Sequence, residues 1–450
     1  MAPSATGDSA PMHIPAMSKA STINASVLHG PRDLRLIEPG IGELQVAIKT
    51  TGICGSDVSY YKKFANGDLC ACQPLSLGHE SSGTVVAIGP HVTGFNVGDR
   101  VALEVGIPCG QCGICRQGRY NLCKKMRFRS SAKSFPHFQG TLQDRINHPA
   151  TWCHKYVWQS TCLIIAQMAK PSLSRLPENV SFDAAALLEP LSVALHAVNR
   201  ATPTPGSSAL VLGAGAVGLL TAAMARQSGC STVTIADVDQ GRVNFAIAKG
   251  FATHGYVVPK QLHTSSSCSS LYNSSNSGTS TPCEGVMTPA STISFQSSLD
   301  TAKTLAAEML AEANGSSPLI DDEGDGVDIT FECTGKEVCM HTALYATKAG
   351  GKVIMVGMGT PIQTLPMSVA HLREIDILGI FRYANTYATG MKLLCARNRP
   401  TRGGYALPNL DEMVTHRFKG LDNAKGAFEL ASRTVDDDGN LVLKVVIEAE

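Results

Sequence analysis

Apolar and polar residues alternate with a period near two through Ala25–Leu28, Leu34–Ile37 and Leu44–Lys49, which predicts short strands separated by turns. Ser82–Gly89 and Val97–Leu103 extend this β-rich beginning, and Ser181–Arg200 reads as a pair of helices. At Ser208 the pattern changes. The apolar run Ala209–Leu212 leads into a glycine turn, then an Ala- and Leu-rich helical stretch to about Ser228, then the β-branched run Thr232–Ile235. Strand patterns at Val327–Gly335, Gly351–Gly359 and Ile375–Phe381 alternate with helical ones, which predicts a doubly wound parallel sheet. Helices at Met391–Ala396 and Asn423–Ala431 and a strand at Leu441–Ile447 close the chain. The class is α/β, with a β-rich first part and a doubly wound second part.

Length and composition sharpen this picture. A chain of 450 residues exceeds one ordinary core, so two domains are expected. A net charge of +1 gives no reason to expect nucleic acid as partner, and no apolar run reaches the roughly 18 residues that a membrane span needs. Residues 1–20, rich in Ala, Ser, Pro and Met, read as a disordered tail rather than a secretory signal. The fifteen cysteines are an odd number in a large chain without an export signal, which favours metal ligation and reduced thiols, hence a cytoplasmic protein. Residues 260–298 are dominated by Ser, Thr, Asn and Gly and read as a disordered surface loop. A block at residues 156–175 separates two pieces that would otherwise join as a loop. Its ends can be encoded AAG-TAT-GTN and by an arginine codon starting AG, the pattern of a translated intron.

The glycine turn carries the first candidate chemistry. Gly213-Ala214-Gly215-Ala216-Val217-Gly218 is a G-x-G-x-x-G between a strand and a helix, and Asp237 follows Gly218 by 19 residues. Gly213 permits the turn, Gly215 lets backbone approach a pyrophosphate, and Gly218 lets helix pack on strand. The carboxylate of Asp237 suits a ribose 2′-hydroxyl and repels a 2′-phosphate, which favours NAD over NADP. Cys54, His79 and Glu80 have side chains that complete a zinc shell with one position open. Spacing alone leaves a buried thiol and a core histidine as the other reading. Cys109, Cys112, Cys115 and Cys123 follow C-x2-C-x2-C-x7-C, the pattern of a closed four-thiolate zinc site. Glu189 stands among Leu187, Leu188 and Leu191 before a proline, where a carboxylate needs a cation, a metal or a metal-bound water.

Taken together, Gly52–Asp57, Gly78-His79-Glu80, the four-cysteine lobe, Leu188–Ser192, Gly213–Gly218, Glu332–Gly335, Phe381-Arg382-Tyr383 and Val414–Phe418 resemble the zinc-dependent medium-chain dehydrogenases. Within them the sequence is similar to the sorbitol, xylitol and arabinitol dehydrogenases of fungal type. The resemblance implies a GroES-like catalytic domain over 21–200, with a zinc lobe at 105–130, a Rossmann NAD-binding domain over 201–380, and a segment 381–450 that returns to the first domain. It implies catalytic zinc at Cys54, His79 and Glu80, with Glu189 as ligand or as holder of a zinc-bound water, and structural zinc at the four cysteines. Ser56 and Glu189 would carry protons, and Tyr60, Glu189, Arg382 and Tyr383 would contact a polyol. Gly213, Gly215, Val217, Gly218, Asp237, Arg242, Val356, Gly357, Met358, Ile380, Phe381 and Arg382 would contact NAD. The implied assembly is a homotetramer. Ser59 occupies a place where many polyol dehydrogenases have histidine, so a relay through that position is not expected. Rival readings are an alcohol or threonine-type dehydrogenase, a silent NAD-binding sensor, and a zinc-ribbon nucleic-acid binder.

Overall fold

The computed structural model describes residues 38–155, 180–259, 289–314, 326–396 and 405–449. The expected tail, the strands at Ala25–Leu28 and Leu34–Ile37, the block 156–175 and the Ser-rich stretch up to residue 288 lie outside the described residues.

Strand β1 (Glu43–Gly52) buries Leu44, Val46 and Ile48 at alternate positions, which fixes its register against the core. A short hairpin follows, β2 (Ala65–Asn66) with β3 (Leu69–Cys70), and then β4 (Glu80–Ile88) and β5 (Arg100–Leu103). Strands β6 (Gly106–Ile107) and β7 (Arg127–Phe128) pair across the base of the cysteine lobe, and β8 (Arg145–Pro149) and β9 (Cys153–Lys155) end this part. The second part holds β10 (Ser208–Leu212), β11 (Thr232–Asp237), β12 (His254–Val257), β13 (Val327–Glu332), β14 (Thr347–Met355) and β15 (Asp376–Gly379). Its sheet is parallel throughout, in the order β12-β11-β10-β13-β14-β15. Counted within the sheet this is 3-2-1-4-5-6, the arrangement whose switch point lies beyond the carboxyl ends of the first and fourth strands.

The chain then goes back to its beginning. Strands β16 (Val414–Lys419) and β17 (Lys444–Glu448) complete a seven-stranded sheet in the order β16-β17-β1-β4-β5-β9, with β8 also on β1. Arg417 and Asp183 fasten this return. Asp183, in the helix Phe182–Ala186, accepts from Thr50 Oγ1 at 3.0 Å and from Arg417 Nε at 2.9 Å while buried. The neighbouring helix Leu188–Ala201 shares one continuous core with the helix Ala216–Gln227, so the two halves of the molecule are packed along apolar side chains.

The helix before β13 starts earlier than the composition suggests. It runs Pro289–Asn314, so the last ten residues of the expected Ser-rich loop are helical. Ala302, Leu305, Ala306 and Met309 form a buried stripe at i, i+3, i+4 and i+7, and once that stripe is anchored the helix extends cheaply toward its N-terminus. Propensity over the Ser-rich window alone does not contain that tertiary contribution.

Replacing Asp183 by Ala leaves the Thr50 hydroxyl unmatched in the core and removes the closest carboxylate of the exposed Arg417. We expect a loss of about 1–2 kcal/mol of stability, read as a lower thermal midpoint, with NAD affinity retained.

Candidate functional site

Cys54 ends β1's continuation and begins the helix Gly55–Lys63 as its N-cap, so the positive end of the helix dipole faces its sulfur. Three residues on, Asp57 reaches back to accept the Cys54 N–H at 3.3 Å. Asp57 is fully buried, accepts from Ser130 Oγ at 2.5 Å and from the Gly78 N–H at 3.2 Å, and lies 3.2 Å from His79 Nδ1. Burial pushes the Asp57 carboxyl up, but His79 and these donors outweigh it and hold it below the usual carboxylate range. Burial also presses the His79 imidazole down, yet Asp57 and Cys54 lift it well above its ordinary value. The carboxylate beside Nδ1 favours the tautomer protonated there and leaves Nε2 for a ligand.

The ligand atoms of Cys54, His79 and Glu80 all lie within 4.8 Å of one another. Glu80, 1% exposed, is held by Lys444 Nζ at 2.6 and 2.9 Å, and that nitrogen also donates to the Ile53 carbonyl at 3.1 Å. One half-buried sulfur with a buried imidazole nitrogen and a buried carboxylate, and a position left over, are the donor set of a catalytic zinc. Glu189 is not part of that three-residue group. It sits in the first turn of Leu188–Ala201, 5% exposed, and burial raises its carboxyl to about 7 against the pull of His79, with Glu80 adding to the rise and Lys444 and Arg382 opposing it.

Arg382 adopts φ 51° and lays its guanidinium 3.7 Å from the Phe128 ring, whose neighbour at 5.6 Å is the His79 ring. One terminal nitrogen of Arg382 is buried without a partner. Burial lowers its pKa, and the groups that oppose this are Tyr383, Glu189 and Tyr60. The other three residues that the resemblance assigned to a polyol therefore all lie within electrostatic reach of Arg382. Tyr383 is buried against Tyr387 with an unpartnered hydroxyl, while the buried Tyr60 hydroxyl accepts from the Ala132 N–H at 3.1 Å. Ser56 is half-buried one residue into the helix, and Ser59 donates to the Ala65 carbonyl at 2.8 Å, away from the cluster.

In the lobe, the sulfurs of Cys112 and Cys115 are 3.5 Å apart, those of Cys109 and Cys123 3.6 Å, and those of Cys109 and Cys115 4.0 Å. Four sulfurs about 2.3 Å from one zinc ion stand about 3.8 Å apart in a tetrahedron, so the cage already has the size of the ion. Backbone N–H groups of Gln111 and Cys112 hold the Cys109 thiol down at about 6.

At the carboxyl ends of the parallel strands lies a cleft of about 280 Å³ that Gly213, Gly215, Asp237 and Arg242 line together with Lys336, Leu305 and Met309. Gly213 has φ 99°, and a Cβ on Gly218 would stand 1.8 Å from the Gly213 carbonyl oxygen, so neither tolerates a side chain. A Cβ on Gly215 would point into the cleft with only Arg242 within 4.0 Å, the opening a pyrophosphate requires. Asp237 accepts from the Ala214 N–H at 2.6 Å, which ties the acid to the glycine turn. Val217 and Gly218 lie in the helix behind that turn, while Val356, Gly357, Met358, Ile380 and Phe381 follow the ends of β14 and β15 and do not line this cleft. The Val356 and Gly357 N–H groups both donate to the Glu332 carbonyl at 2.8 Å.

Residues 40–157 match the alcohol dehydrogenase GroES-like domain and residues 216–396 the zinc-binding dehydrogenase domain. A sorbitol dehydrogenase of Arabidopsis thaliana is 34% identical over 88% of this chain and 87% of that protein. The chain belongs to the medium-chain zinc-binding dehydrogenases. An L-arabinitol 4-dehydrogenase of Aureobasidium melanogenum shares 35% identity with this dehydrogenase over 87% of its length and 84% of the relative's. Among solved structures, an oxidoreductase of unknown specificity from Escherichia coli superposes with a TM-score of 0.67 at 26% identity, covering 93% of this dehydrogenase and 94% of that chain. The dehydrogenase is an oxidoreductase that uses zinc and a nicotinamide dinucleotide. Among its described residues no helix is long and apolar enough to cross a membrane.

Sequence reasoning passed over Asp57, Ser130 and Lys444. Asp57 had a readable signal, since it stands in the same short motif as Cys54 and a ligating imidazole needs an acceptor for its other nitrogen. We expect Cys54→Ser or His79→Ala to lower the zinc content from about two to about one per chain and to abolish turnover, with NAD binding retained. Gly218→Ala should do the reverse, losing NAD binding with both metal sites kept; fluorescence titration with NADH and metal analysis distinguish the two.

Proposed function

We propose that the dehydrogenase oxidises a secondary hydroxyl of a sugar alcohol such as sorbitol or xylitol to the ketose, with the hydride going to NAD. The observation that carries this reading is the pairing of two groups beside the Cys54–His79–Glu80 cluster. One is the buried Glu189, poised near neutrality; the other is Arg382, with a guanidinium nitrogen that no described residue satisfies. A simple alcohol offers nothing for that nitrogen, whereas a polyol brings a second hydroxyl to it. The names of the sorbitol and L-arabinitol dehydrogenase relatives agree with this.

Zinc held by Cys54, His79 and Glu80 would supply Lewis acidity that lowers the pKa of the reacting hydroxyl. The chain's own residues do the rest. Asp57 keeps the His79 ring in place, and Lys444 keeps the Glu80 carboxylate in place. Glu189 accepts the proton of the reacting hydroxyl, directly or through one water, with Ser56 at the half-exposed helix end as the outward route. Arg382, backed by Tyr60 and Tyr383, orients the neighbouring hydroxyls so that the carbon to be oxidised faces the nicotinamide. Asp237 selects NAD through its carboxylate. Val356, Gly357, Met358, Ile380 and Phe381 form the nicotinamide end of the cofactor site, beyond the strand termini.

The division at 21–200, 201–380 and 381–450 is part of the same reading, supported by β16 and β17 joining β1's sheet. A homotetramer is supported by exposed Ile362, Met367 and Leu372 in the segment that leads into the edge strand β15. A cytoplasmic location is supported by the twelve described cysteines, all free.

The test is NADH formation across sorbitol, xylitol, arabinitol, ribitol, threonine and 2-butanol, with NADP in parallel. Polyol turnover with NAD at least about ten-fold above NADP and 2-butanol is the expected result, and preference for threonine or 2-butanol refutes the polyol reading. Glu189→Gln should lower kcat by about 10²–10⁴. In the wild type the rate should rise with pH as Glu189 loses its proton. That limb lies at or below about 7, because a metal's charge beside the carboxylate lowers it further, and the Gln variant should flatten it.

A further inference from the structure

Between Cys115 and Cys123 the cysteine lobe turns three residues toward the segment that carries Arg382. Asn121 is 5% exposed and donates from Nδ2 to the Phe381 carbonyl at 2.8 Å. The Gly118 carbonyl accepts from Asn385 Nδ2 at 2.7 Å. The Tyr120 hydroxyl accepts from the Asn385 backbone N–H at 2.8 Å and donates to Glu104 Oε1 at 2.6 Å. Glu104 is 2% exposed and spends its other oxygen on His154 Nε2 at 2.7 Å, which orients the Tyr120 proton and leaves its lone pair for Asn385. The three contacts bracket Arg382 on both sides.

The bracketed segment needs holding. Arg382 and Asn385 lie at φ 51° and 60°, in the left-handed region that asparagine tolerates and arginine rarely adopts. The lobe's flank also supplies the surface on which Arg382 rests, because Phe128 in β7 packs against the guanidinium and against the His79 ring. The hydrogen bonds of Gly118, Tyr120 and Asn121 reach the Arg382 segment and not Cys54, His79 or Glu80, whose side chains Asp57 and Lys444 hold.

We propose that the four-cysteine lobe is a specificity device. Tyr120 and Asn121 are positioning residues that set Arg382 where it reads the hydroxyl next to the one oxidised. The proposal rests on the polyol reading above and deepens it. Oxidation of a hydroxyl proceeds without the lobe's contacts to residues 381–385, whereas recognition of the neighbouring hydroxyl depends on them.

Tyr120→Phe and Asn121→Ala in the full zinc-loaded chain test this, with xylitol and 2-butanol as substrates. Each variant is expected to raise the KM for xylitol about ten-fold or more with kcat within about twofold. The zinc content should stay at the wild-type value, kcat/KM for 2-butanol should fall far less than that for xylitol, and the amides of residues 381–385 should exchange with deuterium faster. An equal loss on xylitol and 2-butanol, or an unchanged KM for xylitol, overturns the proposal. Arg382→Ala separates this failure from failure of the polyol reading. If Arg382→Ala raises the xylitol KM and the lobe variants do not, the lobe has no positioning role. If Arg382→Ala itself leaves the xylitol KM unchanged, the polyol reading falls and the proposal with it. Should Tyr120→Phe fail to fold, Asn121→Ala, which deletes a single hydrogen bond, carries the same comparison.

Discussion

The site exists because Glu80 and Lys444 meet. Their side chains are 2.6 Å apart, nearly inaccessible to water, and 364 residues apart in sequence. Desolvating two charges costs several kcal/mol for each, so such a pair contributes little net stability by itself and is very costly to break. Its worth is positional. Lys444 begins β17, which pairs with β1, and the same ammonium binds the Ile53 carbonyl immediately before Cys54. The last strand of the chain thus holds the carboxylate and the backbone that bear two of the three clustered donors.

Around that pair the interior stores charge in an ordered way. Asp57 is kept ionised by His79, Ser130 and Gly78, although burial opposes it. Glu189 has no such donors among the described residues, and burial raises it to about 7. Two buried carboxylates in one site therefore have different tasks. One stays charged and fixes an imidazole, while the other exchanges a proton near neutral pH. The dinucleotide cleft is built by the opposite means, from backbone approach rather than charge, since Gly213 and Gly218 pack too closely for any side chain.

Much of this was legible in the sequence for local reasons. Gly213 to Gly218 with Asp237 is contiguous, and so is the cysteine lobe, and their spacing encodes the geometry directly. The alternation of patterns gave the parallel sheet, and the combined motifs gave the family. What escaped depends on contacts between distant segments. Lys444 looks like any strand lysine until β17 is laid beside β1. Tyr120 and Asn121 look like lobe filler until the segment 381–385 is folded onto them. The start of the Pro289–Asn314 helix escaped because its anchor is a stripe of residues further along, at Ala302 to Met309. Ser59 agrees with its reading in the motif, where no relay is expected, since its hydroxyl is committed to the Ala65 carbonyl.

The central claim is that a zinc ion belongs among Cys54, His79 and Glu80, separate from the one in the lobe. Anomalous diffraction at the zinc edge, on crystals grown with NADH, addresses it most directly. The account predicts two peaks per chain, one enclosed by Cys109, Cys112, Cys115 and Cys123, and one bonded to Cys54 Sγ and His79 Nε2 with Glu80 or a water held by Glu189 completing the shell. A peak in the lobe alone, with Glu80 still closed on Lys444 and Cys54 free, would contradict it.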